Sequence, residues 1–393
     1  MRICLFEDGR VADLSPLAVL QPAFELLCGI TSLEAKHRHA FAPDSVGYLV
    51  RPIMVAVTRE RHPHSCVNEP HWLRAGPTVL VNARWIPPPR TNTKPPTTQD
   101  LFADGPFLAI CQGEIAYAAL TPELLAAVTP MVLADCLHDW LTELPQQDVG
   151  GWMVRDAHDL IAQNATQIET DFAHHVNHNL TGYYPTGLQL VGPRDRLFLD
   201  PSATIDPFVV IDTTDGPVFI DANVVVEAFT RIAGPCFVGA GTRLQQATLR
   251  AGSSVGTRCQ IGGVVANCIV QSFAEVRGAG SLDQCFLGDH THIGAGVHVP
   301  AGCGIGDHTR IETGALLDES TTTGIGSHLH ATGRTLPRDV PAFHTVNRSG
   351  QIEPHDARSV LHTQCQMIDA QEQLFRAIAN QNTNPPRFNS AAA

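Results

Sequence analysis

The sequence predicts an α/β region, a parallel β-helix after it, and one helix near the C-terminal end. Three observations carry this. Strand-like and helical apolar runs alternate through residues 1–185. Aliphatic residues then recur every six positions through residues 197–335. Finally, DARSVLHTQCQMIDAQEQLFRAIANQ, residues 356–381, sets Val360, Met367, Leu374 and Ile378 on one helical face.

In the first region ICLF, TVLVN and FLAIC read as strands. ELLAAVTPMVLADCLHDWLTEL, Glu123 to Leu144, is apolar at helical spacing on either side of Pro130. HDLIAQNATQIETDF places Ile161, Ala165, Ile168 and Phe172 along one side of a helix. Alternating strands and helices argue an α/β layer. PPPRTNTKPPTTQD, residues 87–100, fits neither period and reads as a loop.

The second region, residues 195–340, is a repeat. Leu199, Ile205 and Ile211 open it, and Ile220, Val226, Ile232, Val238 and Leu244 follow. Leu249, Val255 and Ile261 come next, then Leu287, Ile293, Val299, Ile305, Ile311 and Leu317. Neither 3.6 nor 2 gives this period. One short strand plus a corner does, stacked as a coil. The frame slips between Ile211 and Ile220, between Leu244 and Leu249, and through residues 262–286, where loops are expected to leave the coil. PRDVPAFH, residues 337–344, reads as the exit, with Arg334 and Arg338 beside it either capping the coil, the favoured reading, or facing a CoA 3′-phosphate, so residues 341–393 form a helical tail and an expected disordered end.

Composition narrows the class. Acidic residues outnumber basic ones 39 to 26, for a net charge of −13, which argues against a nucleic-acid surface or an anionic membrane as partner. MRICLFEDGRV reads as neither signal peptide nor anchor, and eleven scattered cysteines read as reduced thiols in a cytoplasm.

GDHTH and GDHTR begin at residues 288 and 306, eighteen apart. This pattern resembles the hexapeptide-repeat proteins. That resemblance implies a left-handed parallel β-helix of three strands per coil, a homotrimer, and for many members an acyl-CoA held between neighbouring helices. His290 and His308 are then expected at one outward place in successive coils, about 4.8 Å apart. Cys285 and Cys303 are expected inward, as core. The histidine column reads three ways: a solvated ladder, a ligand-facing imidazole, or part of a metal site. Zinc needs further ligands, and no third was found in the spacing, so no metal site is assigned.

LFEDGRVADLSPLAVLQPAFELLCGITSLEAK (residues 5–36), DLIAQNATQIETDF (159–172) and GGVVANCIVQSFAEVRGAGSLDQCFLGDHTHIGAG (262–296) carry a wider resemblance. Together they are similar to putative sugar nucleotidyltransferases with a shortened N-terminal domain, which resemble the bifunctional enzymes making UDP-N-acetylglucosamine. The fold implied is a nucleotidyltransferase-like α/β domain followed by the β-helix. The activity implied is nucleotidyl transfer to a sugar 1-phosphate, acyl transfer from acyl-CoA to an amino sugar, or both. The alternative is a catalytically degenerate binding or scaffold protein on the same domains. Partners are a sugar phosphate or sugar nucleotide and acyl-CoA.

Carried onto this chain, the nucleotide site falls on Gly9, Arg10, Glu25, Lys36 and Asn82, with Mg²⁺ as cofactor. A Gly-rich loop would cradle phosphates and a carboxylate would hold the metal. The chain departs at Gln21, where the subfamily has Arg, and at Asn82, where pyrophosphorylases have Asp. The acyl site falls on His290, His292 and His308 as catalytic candidates. Gly294, Ala295, Gly296 and Arg310 line the groove for acetyl-CoA. Here Phe273, Glu275, Val276, Gly278 and Gln284 stand where the family's Tyr, Asn-Lys and His stand.

Overall fold

The computed structural model describes residues 1–89, 94–175, 185, 187–355 and 369–383. It separates into two compact units, Met1–Leu180 and Thr181–Ala393. Each is an expected architecture: an α/β layer first, a parallel β-helix with a C-terminal helix second.

The first unit is built on a seven-stranded sheet. Its order is Gln146–Asp148, Phe107–Cys111, Glu114–Leu120, Thr78–Asn82, Arg2–Phe6, Ser45–Leu49, Cys66–Val67. Arg2–Phe6 lies parallel between Thr78–Asn82 and Ser45–Leu49. Glu114–Leu120 runs antiparallel to Thr78–Asn82. The central strands read ICLF and TVLVN without alternation because both of their faces are covered, as in a parallel sheet between layers. Helix Ala157–His175 buries Ile161, Ile168 and Phe172, as its spacing predicts. The run 123–144 breaks into Pro122–Leu125 and Leu133–Glu143, the interruption falling around Pro130. The loop expected over 87–100 needs a correction at its end. Thr97 and Asp100 form a reciprocal capping box and start a helix, Thr98–Phe102. Positions 90–93 lie outside the described residues.

In the second unit the repeats stack in register. Leu287 pairs with Ile305 and Ile305 with Thr323, while His292 pairs with Arg310 and Arg310 with His328. Eighteen residues therefore make one coil. The inward aliphatics close one continuous core, with Leu287, Ile293, Val299, Ile305 and Ile311 fully buried and Leu317 partly so. Burying each such side chain stabilises by roughly 1.5–3 kcal/mol. Cys268, Cys285 and Cys303 are core residues too, and burial raises the Cys285 and Cys303 thiols. The coil also runs further than expected. Asp339–Val340 pairs with Thr322–Thr323, and His344–Val346 pairs with His328–Leu329. An antiparallel strand, Ile352–Pro354, then closes the end. Of the expected terminal helix, Asp369–Thr383 is described, whereas Val360, Met367 and the end beyond Thr383 lie outside the described residues.

One corner of the coil places the functional candidates. Arg258, Phe273, His290, His308, Gly326 and Phe343 take φ values of 54, 62, 56, 58, 62 and 57° there. A left-handed backbone costs an L-residue about 1–2 kcal/mol. The corner tolerates it because each amide still completes the ladder. His290 N donates to Ser272 O at 3.0 Å and His308 N to Asp289 O at 2.8 Å. The side chains of successive corners then lie one above another.

Among the described residues no helix is long and apolar enough to cross a membrane.

Candidate functional site

In the first unit, polar groups gather where strands Arg2–Phe6 and Thr78–Asn82 end. Parallel sheets place ligands at such carboxyl ends. Asp8 follows the first strand, accepts from Arg10 N at 3.1 Å, and caps the 3₁₀ turn Gly9–Leu14. Its carboxylate also receives Arg84 Nε at 2.8 Å, an Arg84 terminal nitrogen at 2.6 Å and Asn82 Nδ2 at 2.9 Å. That Arg84 nitrogen also reaches Glu114 Oε2 at 2.6 Å. Arg84 is fully buried and bridges the two carboxylates. Burial works against its charge, but Asp8 and Glu114 outweigh burial and raise its pKa. Arg10 and Arg155 meet the other Glu114 oxygen at 2.9 and 3.1 Å, with side chains 58% and 50% exposed. For Glu114, burial raises the pKa, but Arg84, Arg155 and Arg10 overcome it and hold the carboxyl below its usual range.

The structure brings Arg10 and Asn82 together around Asp8. Gly9 lies in the same turn, whereas Glu25 and Lys36 are placed elsewhere. Gly9 has no left-handed φ and nothing near its missing Cβ, so the turn does not require glycine. Glu25 pairs with Arg61 and with His62 at 3.2 Å. Lys36 is buried against Asp171 at 2.6 Å, and Asp171 also accepts from the Ile30 and Thr31 amides. Lys36 and Asp171 line a cavity of about 220 Å³ with His39, His174 and Gln167. Arg84, Asp8, Glu114 and Arg155 were missed by sequence reasoning. Their sequence separations carry no period, so only the sheet makes them neighbours.

The donor set does not suit Mg²⁺. That ion demands several open oxygens in near-ideal octahedral geometry. Here both carboxylates are engaged by Arg84, and Asn82 spends its amide nitrogen on Asp8 and its oxygen on the Arg84 amide. A cation between Asp8 and Glu114 would displace a buried guanidinium.

In the second unit, the expected column exists. The His290 and His308 rings stack 4.7 Å apart at 8°, and Phe273 stacks on His290 at 4.6 Å and 3°. Gly326 leaves a gap one coil further on. Phe375 of the C-terminal helix fills it, edge-on to His308 at 5.2 Å and to Phe343 at 4.8 Å. His308 is 4% exposed. Burial lowers its pKa to about 3, helped by His290, and lowers that of His290 to about 4. Of the three expected catalytic histidines, these two are therefore stacked, neutral parts of the corner.

His292 differs. It sits on the flat of the coil, 23% exposed, with Nδ1 2.9 Å from Glu275 Oε2. Burial lowers its pKa and Glu275 partly restores it. Arg310 is exposed and lies in register beside it. The expected groove glycines serve the coil itself. A Cβ on Gly294 would lie 2.3 Å from Thr313 N of the next coil, and Gly296 takes a corner with φ 71°. Ala295, between them, is half-buried.

Residues 3–178 match the family model described as sugar nucleotidyl transferase. No curated protein matches the chain by sequence. Among solved structures, the chain is similar to the UDP-N-acetylglucosamine acyltransferase from Campylobacter jejuni. The identity is 15%, covering 47% of this chain and 84% of that one, with a TM-score of 0.25. For the Francisella novicida acyltransferase the figures are 15%, 51%, 78% and 0.28. For the Arabidopsis acyltransferase they are 14%, 49%, 86% and 0.22. Such low superposition scores carry no functional argument. Over residues 3–178 the chain is similar to the sugar nucleotidyl transferase family, and a unit of stacked six-residue repeats follows.

Proposed function

We propose that the chain is a transferase of sugar-nucleotide metabolism whose first unit holds a nucleotide's phosphates at Arg10 and Arg155. One observation supports this above the others. Two half-exposed guanidinia are gathered on Glu114 at the carboxyl ends of adjacent strands, within the region that matches the family. Guanidinium groups suit phosphate because their paired donors meet two oxygens at once. In nucleotidyl transfer, a sugar-1-phosphate oxygen attacks the α-phosphorus, the bond to the β-phosphate breaks, and pyrophosphate leaves. Arg10 and Arg155 would neutralise the charge on those phosphates, and Arg84 would keep Asp8 and Glu114 from repelling them. A homotrimer, a cytoplasmic location, and a sugar phosphate or sugar nucleotide as partner belong to the same reading.

The test is calorimetry of the full chain with UTP and with a uridine sugar nucleotide, with Mg²⁺ and with chelator. Binding that persists in chelator and disappears in an Arg10→Ala/Arg155→Ala variant supports the reading. No binding of either compound, or binding untouched by the double substitution, rejects it and favours a scaffold.

A second reading rests on His292. A carboxylate on Nδ1 orients the imidazole and leaves Nε2 to take a proton from an amine, the arrangement of a general base. Acyl transfer from acetyl-CoA to an amino sugar would then depend on His292 and Glu275. Acetyl transfer that survives His292→Ala excludes this.

A further inference from the structure

Glu312, His328 and His330 form a second polar cluster, built on the end coils of the β-helix. Leu329 is fully buried and pairs in register with Ile311. Strand alternation therefore turns His328 and His330 to the same outward face, flanking Leu329. Glu312 follows Ile311 and so lies one coil before His330. Backbone hydrogen bonds fix all three positions. Glu312 N donates to Leu329 O at 2.9 Å, and His330 N to Val346 O at 3.0 Å.

The side chains converge. His330 Nδ1 is 2.9 Å and His328 Nε2 3.4 Å from the same oxygen, Glu312 Oε1. One ligand atom from each residue lies within 4.8 Å of the other two. Both of these ring nitrogens are buried, yet neither completes a hydrogen bond. Buried polar atoms are ordinarily satisfied, so two unmet nitrogens facing one carboxylate call for an explanation.

We propose that Glu312, His328 and His330 bind a divalent first-row transition-metal ion, Zn²⁺ above others, through two imidazoles and one carboxylate. Ligands about 2.0–2.2 Å from zinc at tetrahedral angles stand roughly 3.3 Å apart, close to the spacing already present. Two nitrogens and one oxygen favour Zn²⁺ or Fe²⁺ over Mg²⁺ and Ca²⁺, which take oxygen. The three residues are partly exposed, which leaves a fourth position toward solvent. His355 stands beside His328, with ring centroids 6.0 Å apart. Arg310 and Arg348 act on the cluster and oppose a cation, so the affinity should fall below that of a closed thiolate site. This site is independent of the nucleotide reading, since all its residues belong to the second unit.

The full chain, stripped with chelator, would be titrated with Zn²⁺, Fe²⁺ and Mg²⁺ in parallel, with Co²⁺ absorption as a geometric probe. The expected result is one zinc per chain and no competition from Mg²⁺. His330→Gln, His328→Gln and Glu312→Gln should each weaken zinc by more than the roughly 100-fold that an outer-shell partner contributes. Far-ultraviolet dichroism confirms that each variant keeps its coil, and Glu312→Gln removes a ligand while sparing both imidazoles. Fe²⁺ bound in preference to Zn²⁺ would overturn the zinc assignment. The site itself is overturned if the chain takes up no metal, or if its uptake is undiminished in both His330→Gln and Glu312→Gln.

Discussion

The two units bury ionisable groups by opposite means. Around Arg84, charges are buried with their partners: one guanidinium is shut between Asp8 and Glu114 and kept charged. At the corner of the β-helix, a buried His308 and a half-buried His290 are kept uncharged, held by ring stacking, with Phe375 covering His308. The first arrangement projects a field toward solvent through Arg10 and Arg155. The second projects none. The contrast argues that the arginine cluster is the place for an anionic ligand and that the histidine column belongs to the packing.

The largest effect should come from Arg84→Met. Removing one partner of a buried ion pair costs about 3–5 kcal/mol, and here Asp8 would lose its guanidinium while Glu114 kept only the exposed Arg10 and Arg155. Asp8 and Glu114 would then face each other across the vacated space. Urea unfolding followed by Trp fluorescence should show the first unit melting early. Adding Glu114→Gln should recover part of the loss, a coupling that a double-mutant cycle reads directly. If Arg84→Met costs no more than the 0–1 kcal/mol of an exposed pair, the contrast between the units fails.

The histidine column supplies the second test, through pH. Unfolded histidine titrates near 6.5. The folded values of His290 and His308 are about 4 and about 3. Between those limits the unfolded chain binds more protons, so stability is full above about pH 6.5 and is lost as pH falls toward the folded values. The variant His290→Phe/His308→Phe keeps rings in the stack and removes both titrations. Its midpoint should match the parent at pH 8 and exceed it at pH 5. His37 and His328, also lowered to about 4, leave a residual slope. A variant with an unchanged pH profile would mean that the column is solvated.

The two units were unequally legible in the sequence, for a physical reason. A coil repeats its geometry, so its period is written into the chain. Leu287 and Ile305, eighteen apart, announce their own contact. The same rule exposes Glu312 and His330, also eighteen apart, with His328 two residues before His330. That signal was present and unread. Asp8, Asn82, Arg84 and Glu114 meet only because two parallel strands end where an antiparallel third begins, and sheet order is not periodic. Resemblance pointed to Arg10 and Asn82, but it also nominated Lys36, which the fold commits to Asp171. The role of Phe375 was unreadable for a different cause: its partner is a missing side chain, at Gly326.

That gap gives the smallest and sharpest test. Gly326 takes φ 62°, and a Cβ there would lie 3.0 Å from Phe343 Cδ1 and 3.1 Å from Phe375 Cζ. Gly326→Ala should cost about 1–2 kcal/mol from the backbone alone. Phe343 is part of the coil, whereas Phe375 belongs to a helix that the coil does not hold by strand pairing, so Phe375 should be the group to move. Helix Asp369–Thr383 would then exchange its amides faster while the coil's protection is retained. With its cover gone, His308 should bind protons more readily, its pKa rising from about 3 toward the ordinary value. An NMR titration of the ring protons follows this one imidazole. A His308 pKa that stays put while the helix loosens would show that the stack, and not Phe375, keeps it neutral.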